Sequence, residues 1–166
     1  MFSIGEHVIH PGQGVCTVMG FQDAPAPMIV LEARCGHGKT RMMYPLSQSA
    51  KLHSCITRAE AEDLIEGYGS LECDPFTERN SSLEESYFKR QLKLGAPETV
   101  RVAKTMRCRI RAAERAARKP ASYYARVLKE AHRRAVEELA IALGVSEEDA
   151  DERLVGADVA SSGYEG

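Results

Sequence analysis

The feature that most constrains the fold lies near the start of the chain, where two β-rich runs flank a turn with one proline and two glycines. Residues 8–18 read Val-Ile-His-Pro-Gly-Gln-Gly-Val-Cys-Thr-Val. Proline presets a turn, glycine reaches positive φ, and the flanking β-branched residues favour a pleated, half-buried surface. The chain is therefore predicted to open with a small antiparallel barrel.

The rest of the first 55 residues continues this pattern of short strands and turns. Strands are predicted over residues 6–9, 14–21, 28–34 and 39–44. Connections rich in turn residues separate them, and Pro45 ends the fourth strand because proline cannot donate to a strand ladder. Residues 1–55 are accordingly predicted to form the barrel.

From Thr57 onward the apolar spacing is helical. Thr57 and Glu60 match a capping box, and the helix that they begin is expected to end at Gly67 or Gly69. Further helices are predicted over residues 81–95, 97–118, 122–144 and 146–154. The predicted fold class is α+β, with a small Tudor-like antiparallel β-barrel followed by an all-helical bundle.

Four regions follow from these elements. The segment 67–80 has little periodicity and is interpreted as a linker, and the small, polar end is expected to be flexible. The predicted division is a barrel at 1–55, a helix and linker at 56–80, a helical module at 81–155 and a flexible tail at 156–166.

The composition gives no sign of export or of membrane insertion. The 166 residues contain no apolar run of membrane-spanning length and no leader-like start, so a cytoplasmic protein without a membrane partner is expected. The five cysteines are odd in number and widely spaced, which suits reduced thiols better than a disulfide framework.

Charge is strongly segregated along the chain. Residues 101–134 carry twelve Lys or Arg against only Glu114 and Glu130. Such a field attracts a polyanion, and nucleic-acid phosphate is the expected partner. The chain beyond residue 134 is acidic, so its end can compete for the basic block.

Catalytic motifs are not found. No nucleophile is backed by a base, and no phosphate-binding glycine loop follows a strand, so neither an enzyme, a small-molecule substrate nor a cofactor is predicted. Cys35-Gly36-His37, completed by Cys16 or His10, has the residue types of a metal site. Such a sequence at a hairpin tip is more typical of a plain turn, so no metal is predicted.

Several motifs together resemble one bacterial family. The opening over residues 2–15 has a Gly5-Glu6 pair, a Val-rich strand and a Pro-x-x-Gly turn, and Tyr44-Pro45 resembles the end of the last barrel strand. Leu92-x-x-Gly95 and the helix over residues 122–140 follow in the same order. This arrangement resembles the CarD family of RNA polymerase-binding transcription regulators, over roughly residues 2–143.

The resemblance implies two partners. The barrel, shared with the polymerase-interacting domain of the transcription-repair coupling factor, would dock on the RNA polymerase β subunit through exposed strand surface. The helical module would touch promoter DNA just upstream of the melted region. The implied polymerase-binding residues are Phe21, Val30, Arg34, Arg41 and Met43. The alternative for each is a place in the barrel itself.

The candidate DNA-binding residues are thirteen cations of the helical half together with one serine. They are Ser81, Lys89, Arg90, Lys93, Arg101, Lys104, Arg107, Arg111, Arg115, Arg118, Lys119, Arg126, Lys129 and Arg133. Phosphate contacts by such residues position a protein on DNA without reading its sequence.

One departure from the family concerns a tryptophan that begins the first helix of its DNA-binding module and wedges into the minor groove. This chain has no tryptophan, and alignment on Gly95 puts Ser81 at that place. Serine cannot stabilise an unstacked base step as an apolar wedge does. Tyr87 or Phe88 is an alternative wedge, and a core position is the other interpretation of both.

The sequence thus predicts a transcription regulator that binds RNA polymerase and promoter DNA and alters the stability of the open complex. Two alternatives stay open. One is a divergent polymerase-binding adaptor without the DNA wedge, and the other is a barrel that recruits another protein while the helices bind nucleic acid non-specifically.

Overall fold

The computed structural model describes residues 1–35 and 37–162, apart from the side chain of Cys35. The chain divides into two compact units, Met1–Cys55 and Ile56–Gly166. The first is an antiparallel sheet and the second is helical, which makes the protein α+β as predicted. None of the described helices has both the length and the apolar composition needed to cross a membrane.

Five antiparallel strands form the sheet, in the spatial order β4-β3-β2-β1-β5. The strands are β1 (His7–His10), β2 (Gly14–Gln22), β3 (Met28–Cys35), β4 (Gly38–Pro45) and β5 (His53–Ser54). The first four match the sequence prediction. The fifth was not predicted, because only its pairing with Val8 and Ile9 defines it.

The sheet is open. Within the described residues β4 pairs with β3 alone, and β5 pairs only with β1. Closure into a barrel is therefore not confirmed, and the Tudor-like fold stays a prediction.

Strand alternation places one row of side chains in a core. Because successive residues of a strand point to opposite faces, β3 buries Ile29, Leu31 and Ala33, which pack with Val8 and Val18 from neighbouring strands. The register between β2 and β3 shifts at Val18 and Gly20, which indicates a β-bulge. This bulge determines which face of the sheet the side chains at the end of β2 occupy.

The second unit contains five α-helices and two single turns of 3-10 helix, at Tyr68–Ser70 and Leu92–Leu94, among its described residues. The helices are α1 (Arg58–Glu66), α2 (Ser81–Gln91), α3 (Glu98–Arg115), α4 (Ser122–Leu143) and α5 (Glu147–Ser162). Thr57 caps α1 through the amide of Glu60, as the capping box predicts. Gly144 ends α4 in the left-handed conformation, with φ of 67°.

Two apolar clusters hold the helices together. One joins α1, α4 and α5 around Tyr68 and Leu139, and the other joins α2, α3 and α4 around Phe88 and Met106. Helix α4 contributes to both clusters, because its apolar residues recur every three or four positions along more than one side.

Two sequence interpretations need correction. The presumed linker, 67–80, is an ordered part of the helical unit, in which Tyr68 and Asp74 are buried. The presumed flexible tail from residue 156 continues α5 to Ser162, and of this tail only residues 163–166 lie outside the described part of the chain. The buried carboxylate of Asp158 explains the longer helix, because it binds Tyr68 and Arg111.

Candidate functional site

The structure brings together four of the five predicted polymerase-binding residues. Val30 lies directly opposite Met43 across β3 and β4, and Arg34 and Arg41 occupy the same face of these strands. This face lies away from the sheet core, and the side chain of Met43 is 43% exposed. We call this surface, formed by Val30, Arg34, Arg41 and Met43, the outer sheet face.

Phe21 lies on the other side of the sheet. The bulge at Val18 and Gly20 shifts the register by one residue, so Phe21 pairs with the buried Ile29 and shares its face. Its ring is 41% exposed and lines a cavity of about 440 Å³ with Phe2. Phe21 therefore cannot join the outer sheet face, and only the pairing register reveals this.

Ion pairs organise the charge of the outer sheet face. Glu32 contacts the Lys39 ammonium at 3.2 Å and the Arg41 guanidinium at 3.3 Å. The hydrogen bond from Lys39 is the main cause that lowers the pKa of Glu32. Burial opposes it, and the hydrogen bond from Arg41 adds to the lowering. Arg34 has no ion-pair partner among the described residues, so the face keeps a net positive charge.

Strand β4 adds main-chain hydrogen-bonding groups to this face. It is eight residues long and an edge strand within the described sheet. An edge strand presents unpaired N–H and C=O groups, to which an added strand can bind.

The predicted basic block separates into an internal set and a surface set. Lys104 is the most deeply internal, because it is 7% exposed and its ammonium donates to the carbonyl oxygens of Tyr68 at 2.6 Å and Leu71 at 2.7 Å. An ammonium held in this way is engaged within the fold, which argues against the predicted DNA contact of Lys104.

Arg101 and Arg109 bind the segment that leads into α2. Arg101 donates to the Glu72 carbonyl oxygen at 3.1 Å. Arg109 pairs with the Glu84 carboxylate at 2.9 Å and also donates to the Phe76 carbonyl oxygen. The two arginines therefore fix the segment that the sequence predicted to be a linker.

Arg107 and Arg111 connect α3 to neighbouring helices. Arg111 pairs with Asp158 of α5, and Arg107 contacts the Nδ1 atom of His132 on α4. Burial raises the pKa of Asp158, but hydrogen bonds from Arg111 and Tyr68 more than offset this and hold it below its ordinary value. The acidic end of the chain thus neutralises part of the basic block, as the charge pattern suggested.

The surface set lies on α2 and α4. Glu85 of α2 bridges Lys89 and Arg126, each at 3.2 Å, which places the cations of the two helices side by side. Burial raises the pKa of Glu85, yet the hydrogen bonds from these two cations lower it overall. We call the exposed cations of these two helices the α2–α4 basic surface; they are Lys89, Arg90, Arg126, Lys129 and Arg133.

Arg133 continues this surface along α4, paired with Glu130 at 2.7 Å and Glu137 at 3.1 Å. Hydrogen bonds, chiefly from Arg133, lower the pKa of Glu130 to about 2 despite partial burial. Five further predicted residues are exposed cations whose side chains have no intramolecular partner in the described ranges 1–35 and 37–162. They are Arg90, Lys93, Arg118, Lys119 and Lys129. Arg115 is also exposed.

The presumed wedge position is a polar helix start. Ser81 is the exposed first residue of α2, and the Asn80 side chain accepts hydrogen bonds from the amides of Ser82 and Leu83. Both suggested replacements are engaged within the fold. The Phe88 ring is fully buried, and the Tyr87 ring stacks on Phe76 at 3.8 Å while its hydroxyl donates to Asp74.

The part of the chain that the structure describes contains no group of His, Cys, Asp or Glu suited to a metal ion. The Cys35-Gly36-His37 motif falls partly outside this part, because Gly36 and the side chain of Cys35 are not described.

No protein-family model matches this chain, and no curated protein matches its sequence. The resemblance stated above therefore rests on the quoted motifs and their order.

Proposed function

We propose that this protein is a non-enzymatic transcription regulator that binds the RNA polymerase β subunit through its sheet unit and promoter DNA through its helical unit. The resemblance to the CarD family supplies the partners. The observation that carries the proposal is the outer sheet face beside the edge strand β4, where Arg41 and Met43 lie next to unpaired main-chain groups. Strand addition with side-chain contacts on one face suits a protein partner.

The α2–α4 basic surface supports the DNA half of the proposal. Its cations are exposed, whereas Lys104 and Arg109 of α3 are held by partners within the fold. A surface of this kind neutralises phosphates and releases counterions, so the affinity for DNA should fall steeply with salt. A flat salt dependence between low and physiological concentration would contradict phosphate binding.

Capture by the isolated polymerase β-lobe tests the sheet half. We expect the wild-type protein to be retained, and Met43→Glu to be lost because the substitution places a carboxylate on the outer sheet face. Phe21→Glu is the matched control, since Phe21 is almost equally exposed but lies on the other face. Failure of the wild-type protein to bind the β-lobe would refute both polymerase-binding candidates and favour a barrel that recruits another protein.

A second candidate is a polymerase-binding adaptor that lacks the DNA wedge. It is favoured by the serine at the start of α2, by the burial of Phe88 and by the stacking of Tyr87 on Phe76. The lifetime of promoter complexes distinguishes the two candidates when wild type is compared with Ser81→Trp. A longer lifetime with the variant supports the adaptor, and equal prolongation by both proteins supports the open-complex regulator.

A further inference from the structure

The turn between α3 and α4 borders a cavity of about 320 Å³ that lies within the helical unit. Its apolar wall includes Ala113, Pro120 and Ala121, and the partly buried Tyr124 adds an aromatic ring. We call this cavity the turn pocket. Arg118 and Lys119 at its edge are predicted DNA-binding residues, but that prediction assigns no role to the cavity itself.

The charged groups at the inner side of the turn pocket neutralise one another. The Glu84 carboxylate pairs with Arg109 at 2.9 Å and accepts a hydrogen bond from the Tyr123 hydroxyl. Burial is the larger cause that raises the pKa of Tyr123, and the hydrogen bond to Glu84 is the next. The phenol therefore stays protonated and keeps donating its hydrogen bond to Glu84. The paired Glu84 carboxylate therefore does not repel an incoming anion.

The rim of the turn pocket is cationic. Arg118 and Lys119 are consecutive in the sequence, both are exposed, and both line the turn pocket. Neither side chain has an ion-pair or hydrogen-bond partner in the described part of the chain. Two adjacent cations without counter-charges create a local positive field that attracts an anion. Their position differs from that of Lys104 and Arg109, which are held inside the fold.

The ring of Tyr124 is held in place at the wall. It meets the Tyr123 ring edge-on, with the ring centroids 4.8 Å apart. A positioned aromatic ring beside small apolar residues is a surface on which a flat heterocycle can stack.

These features together match the chemistry of a nucleotide in an unpaired strand, which combines a flat base with flanking phosphates. We propose that the turn pocket accepts one unpaired base of single-stranded nucleic acid, with Tyr124 stacking on the base and Arg118 and Lys119 binding the adjacent phosphates. A base inside a duplex is stacked on both sides and cannot enter. The inference rests on the proposed nucleic-acid binding and adds a preference for unpaired strands.

Binding of labelled oligonucleotides by the full chain tests the stacking contact. The probes are an oligothymidylate, an oligouridylate and a DNA duplex of the same length. Tyr124→Leu should weaken binding of the single strands about five- to a hundredfold and leave duplex binding unchanged. Tyr124→Phe keeps the ring and should bind like wild type. The two single strands distinguish DNA from RNA as the source of the base.

The cationic rim has its own matched control. Arg118→Ala combined with Lys119→Ala should reduce the slope of single-strand affinity against salt by about 1.4, because two phosphate contacts are lost. Arg90→Ala combined with Lys93→Ala removes the same charge outside the pocket and should weaken duplex and single strands alike.

An oligonucleotide that lacks bases serves as a test that needs no variant. It keeps the phosphates, so the wild-type protein should bind it more weakly than oligothymidylate by the same factor as Tyr124→Leu. Equal binding of the two probes, or unchanged binding by Tyr124→Leu, would overturn the pocket inference while duplex binding still supports the proposed function. Absence of any nucleic-acid binding would instead refute the DNA half of that function.

Discussion

Replacing Lys104 with methionine tests whether the cations of α3 build the fold or bind DNA. Methionine keeps most of the aliphatic stem, so the substitution removes the ammonium with little loss of packing. The sequence predicts a phosphate contact for Lys104, whereas the structure holds its ammonium against main-chain carbonyls. A structural role predicts lower stability with unchanged DNA binding, whereas a phosphate contact predicts unchanged stability with weaker DNA binding.

The magnitude follows from the bonds lost. The ammonium donates to Tyr68 at 2.6 Å and Leu71 at 2.7 Å, and the contact with Gly69 at 3.4 Å is too long to contribute much. Two bonds from a charged group are worth at least about 3 kcal/mol. In the variant the Tyr68 carbonyl oxygen still accepts a hydrogen bond from the Leu71 amide at 3.1 Å, and no charge has to be buried. Both effects reduce the loss. We therefore expect a net loss of about 2 kcal/mol.

Urea unfolding followed by helical circular dichroism measures this loss. With a slope of about 2 kcal/mol per molar urea, the midpoint should fall by about 1 M. Lys129→Met is the matched control, because Lys129 is exposed on α4 without a described partner and its loss should change stability by less than about 0.5 kcal/mol. Below the unfolding range, Lys104→Met should bind DNA like wild type. An unchanged midpoint together with weakened DNA binding would refute the structural role.

Three further predictions concern the helical unit. Asn80→Ala removes the cap of α2 and should cost about 1 kcal/mol in urea unfolding. Asp158→Ala leaves Arg111 without its carboxylate and should cost about 2 kcal/mol in the same assay, less than the roughly 3 to 5 kcal/mol of a fully buried pair because Arg111 is partly exposed. Glu130 has a pKa of about 2 in the fold against an ordinary 4.5, so its stabilising effect is present above pH 4.5 and is lost as pH falls through 2. The free energy of unfolding of Glu130→Gln should therefore fall less steeply than that of wild type as the pH drops over this range. An unchanged pH dependence would contradict the contact with Arg133.

Local sequence signals predicted the first four strands and the starts of the helices. Short runs bounded by turn residues such as Pro11, Gly12 and Pro45 predicted strands β1 to β4, and the capping box at Thr57 predicted the start of α1. Strand β5 was missed because two residues carry no periodicity and are defined only by pairing with β1. Local signals also ended α5 too early, at residue 154, because Gly156 and the small residues after it have low helix propensity. Contacts of Asp158 with other helices override that propensity.

The candidate surfaces were predicted less completely. The sequence identified the cations, but their division into internal and surface sets depends on partners far along the chain, such as Glu84 for Arg109 and Asp158 for Arg111. The acidic residues that follow residue 134 signalled the pairing of Arg111 with Asp158, but nothing local signalled that of Arg109 with Glu84. The face occupied by Phe21 depends on a bulge, and a shift of one residue moves a side chain to the opposite face.

The sequence by itself determined the α+β class, most element positions and the segregation of charge, because propensity, capping and periodicity act over a few neighbouring residues. Only the tertiary structure decided that the sheet is open within its described strands, that Lys104 is internal and that Arg118 and Lys119 border a pocket. These properties depend on strand register and on contacts between residues distant in the chain, whose energies no local pattern specifies.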